Sequence, residues 1–414
     1  MLSKIAGALL LLFLAALPTP AAELPRSGNP VFDRTVRLVV DSFYDRSALD
    51  RFEDAVRREI EDSRSPVTAA SPAERVDTAI DAILASLQVS HTGRFRPDGI
   101  DYFELADVFR YALRADMRRL FSPDGEAAYA GIGMIVRQGN GLGFVSEVYD
   151  GSPAARAGIL VGDEVISVDG APYREIISFR GKAGQTVEIK LRRRPGDQPL
   201  DKTVQVKLLR PLPMFEKAIE DSATIMERDG RKIGYIRLWT LAAPRSMNKV
   251  AEALARGPLE QADGLVLDLR GRWGGGSADA AELFLGGTPP FRLIQRDGEA
   301  ILANVRWRRP VVAIIDEGTR SGLEVFAYAL KAKGVRLVGA RSAGALLAGR
   351  VFLLPDDSLL ELAVSDAVIG DDTRLEGRGV QPDLPVPFIL PYAAGRDPQR
   401  DAAVDEMRRI LADG

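Results

Sequence analysis

Between about residues 210 and 395, four short apolar runs, KIGYIRLWTL, GLVLDLRG, VVAIID and VRLVGA, alternate with amphipathic stretches such as SADAAELFLG and LEVFAYALKAKG. Runs this continuous in apolar residues read as strands buried on both faces, and the helical stretches between them supply the covering layers. The expected fold class is therefore α/β, with a mostly buried sheet in the second half of the chain. Pro211 and Pro213 punctuate its start.

The upstream pattern differs. Over about 126–209 the runs GIGMIVRQ, LGFVSEVY, DEVISVDG, TVEIKLRRR and TVQVKLL alternate apolar and polar residues and are broken by Gly and Asp turns, which predicts a compact β-rich module. Over about 23–125 the apolar residues recur at helical spacing, as in VFDRTVRLVVDSFYDRSALDRFEDAVRREI and ERVDTAIDAILASL, which predicts a small helical domain. A loop with Ser90, His91, Thr92 and Gly93 interrupts this region. The tail, 396–414, reads as a polar amphipathic helix that packs or pairs, so self-association is left open.

The first residues, MLSKIAGALLLLFLAALPTPAAELPR, join a basic start, an apolar run and small residues ending near Ala22, the pattern of a cleavable signal peptide over 1–22. A periplasmic or secreted protein is expected, with no later stretch approaching the roughly 20 apolar residues of a spanning helix. The chain has no Cys, which excludes disulfides and thiol catalysis. Its 55 basic and 58 acidic residues are intermixed, giving a net charge of -3 and no field for holding nucleic acid. With a single His and no Cys, neither a catalytic metal nor another cofactor is expected.

The segment YDGSPAARAGILVGDEVISVDG resembles the heart of a PDZ domain of the bacterial protease type. In such domains an extended peptide adds as a strand to a sheet edge. The resemblance puts Tyr129, Ala130, Gly131, Ile132 and Gly133 where the loop that holds the peptide carboxylate belongs. After Gly170, APYREIISFRGKAGQ is shorter than the stretch that usually supplies the groove helix. Two roles stay open, peptide capture and a gate or spacer against the catalytic domain.

Three segments farther on, LDLRGRWGGGSADAAE, IDEGTRSGLEVFAYALKAKGVRLVGARSAGALLAG and LEGRGVQPDLPVP, resemble in content and order the carboxyl-terminal processing peptidases and the tricorn protease core. That resemblance implies a ClpP/crotonase-like catalytic domain over 210–395 and a serine peptidase working through an acyl-enzyme on extended or C-terminal segments of proteins. Its partner would be a polypeptide substrate, which in some relatives an adaptor protein delivers. Ser321 follows a buried strand and a short loop and directly precedes a helix, so its hydroxyl sits at a helix N-terminus suited to oxyanion chemistry. The same position suits a helix cap. The Gly322 N–H, with an N–H from Gly274, Gly275 or Gly276, can form an oxyanion hole, since glycine lets the backbone approach a carbonyl closely. Ser342, without a helix start, is the weaker nucleophile candidate.

In the processing peptidases a lysine follows the nucleophile by about two dozen residues, and Ala345 stands at that place here. Lys331 and Lys333 lie several turns along the following helix. The tricorn-type members use instead a histidine in an N-terminal Ser-His motif and a late glutamate. Ser90 and His91 in LQVSHTGRF and Glu376 in LEGRGVQPD match these, so the resemblance implies a relay of Ser321, His91 and Glu376 with Ser90 in support. Arg272 stands where the family often has asparagine. A histidine base predicts activity falling as the pH drops through about 6 to 7, whereas a lysine base gives an alkaline rise. The alternatives are an inactive relative acting as a binding or scaffold protein, and hydrolysis of a small ester or amide by the same residues.

Overall fold

The buried runs of the second half form one six-stranded sheet in the order Leu384–Pro385, Arg336–Gly339, Val311–Ile315, Gly264–Asp268, Arg231–Arg237, Thr224–Arg228. Neighbours are parallel except the last pair, an antiparallel hairpin. This computed structural model describes residues 24–413 apart from 277, 287–291, 295, 297–299 and 303–304, so the leader expected at 1–22 lies outside the described residues.

Strand Gly264–Asp268 is buried at every position, and its alternate residues serve two different cores. Leu265 and Leu267 pack with Phe326, Ala327 and Leu330 of the crossover helix Gly322–Ala332 on one face. Val266, Val312, Ile314 and Val338 face the other way, onto Ala403, Val404 and Met407 of the C-terminal helix Pro398–Asp413. The tail helix thus packs as the second covering layer that a parallel sheet requires. It lies so close that a Cβ on Gly264 would come 2.3 Å from the Met407 sulfur.

The N-terminal helices Pro30–Ser42, Leu49–Arg57 and Ala73–Ala85 do not close on themselves. Phe32, Phe52, Ile80, Ile83 and Leu87 share a core with Leu347, Leu354, Leu360 and Leu362 from the far end of the chain. Three short helices bury little apolar surface alone, and the strands Leu347–Leu353 and Leu359–Asp366 supply the missing face. Strand Gly93–Phe95 completes this antiparallel three-stranded sheet, with Gly93 opposite Glu361. The helical region and the second half of the chain are therefore interlocked.

The middle module is an antiparallel five-stranded sheet in the order Met134–Gly139, Leu142–Val148, Glu164–Val168, Thr186–Arg192, Leu200–Gln205. Helix Pro153–Arg156 is capped by Ser152, whose hydroxyl accepts from the Ala155 N–H at 3.1 Å. The Asp169–Gly170 turn has positive φ at both residues, the conformation that pair favours. Residues 175–181 form turns rather than a groove helix, as the shortened segment requires.

Candidate active site

Strand Val311–Ile315 ends in a loop that delivers Ser321 to the first turn of helix Gly322–Ala332. Ser321 has φ 55 and ψ -125, a conformation that a non-glycine residue holds only where its surroundings impose it. The Ala345 carbonyl accepts the Ser321 N–H at 3.0 Å, and so does Glu324 Oε2 at 3.2 Å. Glu324 is fully buried and also accepts from the Ser342 hydroxyl at 2.6 Å and from the N–H groups of Gly344 at 2.8 Å and Ala345 at 2.7 Å. One carboxylate thus fixes both the helix start and the 342–345 turn. Ser342 is committed to it, which removes the hydroxyl from nucleophilic work.

The glycine run lies directly against this helix start. A Cβ on Gly274 would fall 2.5 Å from both Gly322 N and Ser321 Cβ, and one on Gly322 would fall 1.9 Å from the Gly275 carbonyl oxygen. Only glycine permits that approach. Among the described residues the N–H groups of Gly274, Gly275 and Gly322 donate to no backbone acceptor. The loop is held from behind, where the Leu241 N–H donates to the Gly274 carbonyl at 3.0 Å and the buried Thr240 hydroxyl to that of Trp273. Arg272 Nε and Trp273 Nε1 donate to Glu104 Oε2 at 2.8 and 2.6 Å, and the Tyr149 hydroxyl donates to Glu104 Oε1 at 2.8 Å. Burial pushes the Glu104 carboxyl up, while Arg272 opposes that shift. Arg272 therefore ties the glycine loop to helix Ile100–Val108, and its Nη1 lies 3.7 Å from Glu147 Oε1 in strand Leu142–Val148 of the middle module.

The other half of the site comes from remote chain. His91, at φ 51 and 8% exposed, lines a cleft of about 140 Å³ together with Ser321, Gly274 and Gly275. The Ser90 hydroxyl lies 2.8 Å from His91 Nδ1 and donates to Glu376 Oε2 at 2.8 Å, while Glu376 Oε1 accepts the Ser90 N–H at 2.8 Å. Glu376 Oε2 also accepts the Leu346 N–H at 2.8 Å. Glu376 therefore does not meet the imidazole directly; Ser90 stands between them. The proton count fixes the tautomer, because a hydroxyl that gives its one proton to Glu376 must accept from Nδ1–H. Nε2 then keeps its lone pair.

Burial, and secondarily the charge of Arg320, lowers the His91 pKa from 6.5 to about 4. The expected loss of activity through pH 6 to 7 is accordingly corrected downward, since a sequence does not reveal how deeply an imidazole is enclosed. The Arg320 guanidinium lies over the Trp273 ring, 5.6 Å from its centroid. No lysine lines the cleft among the described residues. Lys331 pairs with Asp383 at 2.9 Å, and Ala345 is buried.

The loop assigned to peptide carboxylate binding is largely enclosed. Tyr129–Gly131 pairs with Lys207–Leu209, Ala130 is half-buried, and Ile132 and Gly133 lie in the interior. Among the described residues the N–H groups of Ile132 and Gly133 donate to no backbone acceptor.

Glu324, Glu104, Arg320 and Glu361 were not singled out from sequence. The Ser-x-x-Glu spacing of Ser321 and Glu324 is a capping-box signal that could have found the first. Glu361 stands out only as a lone charge in the run LLELAV.

Peptidase family S41 matches residues 232–386, and a PDZ domain matches residues 144–193. The chain is similar to the carboxyl-terminal-processing protease of Synechocystis sp., 25% identical over 350 residues that cover 80% of this chain and 77% of that protein. It is likewise 25% identical over 306 residues to the carboxy-terminal processing protease CtpB of Bacillus subtilis, covering 70% of this chain and 62% of CtpB. Among solved structures, the photosystem II D1 C-terminal processing protease aligns at a TM-score of 0.51 and 20% identity over 91% of this chain and 99% of that one. The tricorn protease aligns at 0.52 and 18% identity over 92% of this chain and 36% of its own. The class so defined is a serine peptidase of mixed α/β fold. More particularly, the match to peptidase family S41 over 232–386 follows the match to a PDZ domain over 144–193.

Proposed function

We propose that this protein is exported and cleaves peptide bonds in extended or C-terminal segments of other proteins through an acyl-enzyme on Ser321, with His91 as its base. The observation that carries the reading is the hydrogen-bonded chain from Glu376 through Ser90 to His91, which ends in the cleft that Ser321 and the glycine loop line.

His91 Nε2 takes the Ser321 proton as Oγ attacks the scissile carbonyl carbon. The carbonyl oxygen becomes an oxyanion, received by N–H groups of Gly322 and of Gly274 or Gly275. The imidazolium keeps its Nδ1–H on Ser90, whose own proton stays on the Glu376 side, so the carboxylate acts through one neutral hydroxyl. Nε2–H then protonates the departing amine as the C–N bond breaks. Water repeats the sequence on the acyl ester, giving its proton to His91 and releasing Ser321 and a carboxylic acid.

The relatives' names supply the preference for protein C-termini. Capture of a peptide by the PDZ domain is supported by the Ile132 and Gly133 N–H groups, which donate to no backbone acceptor among the described residues, while their burial and the turn at 175–181, which leaves one wall of the groove short, support a gate or spacer. The apolar leader supports export.

Fluorophosphonate labelling of folded wild type, Ser321→Ala, His91→Ala and Glu376→Gln tests the reading. Labelling lost in the first two variants and slowed in the third is the expected result. A wild type that never labels, with the cleft open to the probe, would instead mark a binding or scaffold protein.

A further inference from the structure

The catalytic cleft contains a charge that the chemistry above leaves unused. Glu361 is 3% exposed in a strand whose adjoining residues Leu359, Leu360, Leu362 and Ala363 are all fully buried and apolar. Its side chain lines the same cleft as Ser321 and His91. A Cβ on Gly349 would lie 3.0 Å from Glu361 Oε1 and 3.2 Å from His91 Cδ2, so carboxylate and imidazole flank one bare stretch of backbone.

Among the described residues the Glu361 side chain accepts no hydrogen bond and joins no ion pair, and its oxygens are not sealed from solvent, so they open onto the cleft. Arg320 lines the cleft too, but its guanidinium is laid over Trp273 and does not pair with Glu361. Burial raises the Glu361 pKa, and the Arg320 charge works against that rise. A carboxylate that is nearly enclosed, keeps only a narrow contact with the solvent of the cleft and has no protein donor is left for an incoming donor to satisfy. Val108, Phe109 and Leu347 give that cleft apolar walls. Such walls suit the methylene stem of a long side chain whose charged head needs a partner at the far end.

We propose that Glu361 is a specificity-determining residue, which receives a lysine or arginine side chain of the substrate next to the scissile bond. This rests on reading Ser321 as the acyl-forming nucleophile. Glu361 forms the ion pair, the apolar walls hold the stem, and Gly349 keeps the passage between His91 and the carboxylate open.

The test uses peptidyl diphenyl phosphonates carrying Lys or Leu beside the phosphorus, with second-order labelling rates measured on wild type and the isosteric Glu361→Gln. Wild type should favour the Lys probe on the order of 100-fold, and the variant should bring the Lys-to-Leu ratio near unity. A wild type that labels but treats the probes equally, or favours Leu, overturns the proposal without needing the variant to fold. Benzamidine binding, followed by calorimetry, separates the two readings. Binding to wild type that Glu361→Gln loses, with no labelling at all, would retain the cation pocket and reject the nucleophile, whereas absence of both rejects both.

Discussion

The two halves of the proposed catalytic cleft are built in opposite ways. The nucleophile half is local: strand Val311–Ile315, Ser321, its helix and the 342–345 turn follow one another, and Glu324 fastens them, three residues from Ser321 and 20 from Gly344. The base half is assembled from Ser90 and His91 on one side and Glu376, 286 residues beyond Ser90, on the other. What holds it is the core that the N-terminal helices share with Leu360 and Leu362. A local site resists damage elsewhere in the fold, whereas a non-local one inherits the stability of everything between its parts.

That contrast can be broken most decisively at Ser321. Ser321→Ala should lower hydrolysis by about 10⁶-fold and abolish phosphonate labelling, with an unchanged circular dichroism spectrum. Residual labelling would relocate the nucleophile. On the base side, Ser90→Ala should slow labelling on the order of 100-fold, because His91 loses the acceptor that fixes its tautomer and Glu376 loses one of its links to it. A loss no greater than that of a neutral surface substitution would show that the hydroxyl bridge does not carry the relay.

Leu360→Ala sharpens the comparison from a distance. It should cost about 3 kcal/mol in denaturant unfolding by leaving a cavity in the shared core. Labelling should decline in denaturant before the six-stranded sheet unfolds, as read by Trp239 fluorescence. Coincident loss would mean the halves unfold as one.

The smallest expected effect is on pH. With the His91 pKa lowered to about 4, labelling should stay level as the pH falls below 6.5 and drop only near 4, when the base acquires a proton. The unfolded chain binds that proton already below its ordinary 6.5, so folding stability should decline between 6.5 and about 4. Removing the Arg320 charge in Arg320→Gln should raise the His91 pKa and move the acid limb upward by about one unit or less. An unmoved limb would leave burial as the sole cause.

Legibility followed the same division. The nucleophile half lay in contiguous motifs, and the α/β alternation that presents it was visible in the buried runs. Ser90, His91 and Glu376 could be named from their motifs, but the interposed hydroxyl could not, because no spacing states which of two side chains stands nearer a third. The depressed His91 pKa depends on enclosure by residues far along the chain. The helices looked like a domain of their own because each is amphipathic, and only the partner face, supplied after residue 346, reveals the shared core. Glu361 was hidden for a related reason, since a single charge in an apolar strand has no periodicity.

The bond between Ser90 and Glu376 also has a consequence in time. Ser90 and His91 precede the PDZ domain and Ser321 along the chain, and Glu376, the proposed support of the imidazole, follows them all. A chain in which Glu376 has not yet folded onto Ser90 would hold the Ser321 hydroxyl without a fixed base. On the proposed reading, activity would therefore wait on the folding of the segment that brings Glu376 onto Ser90.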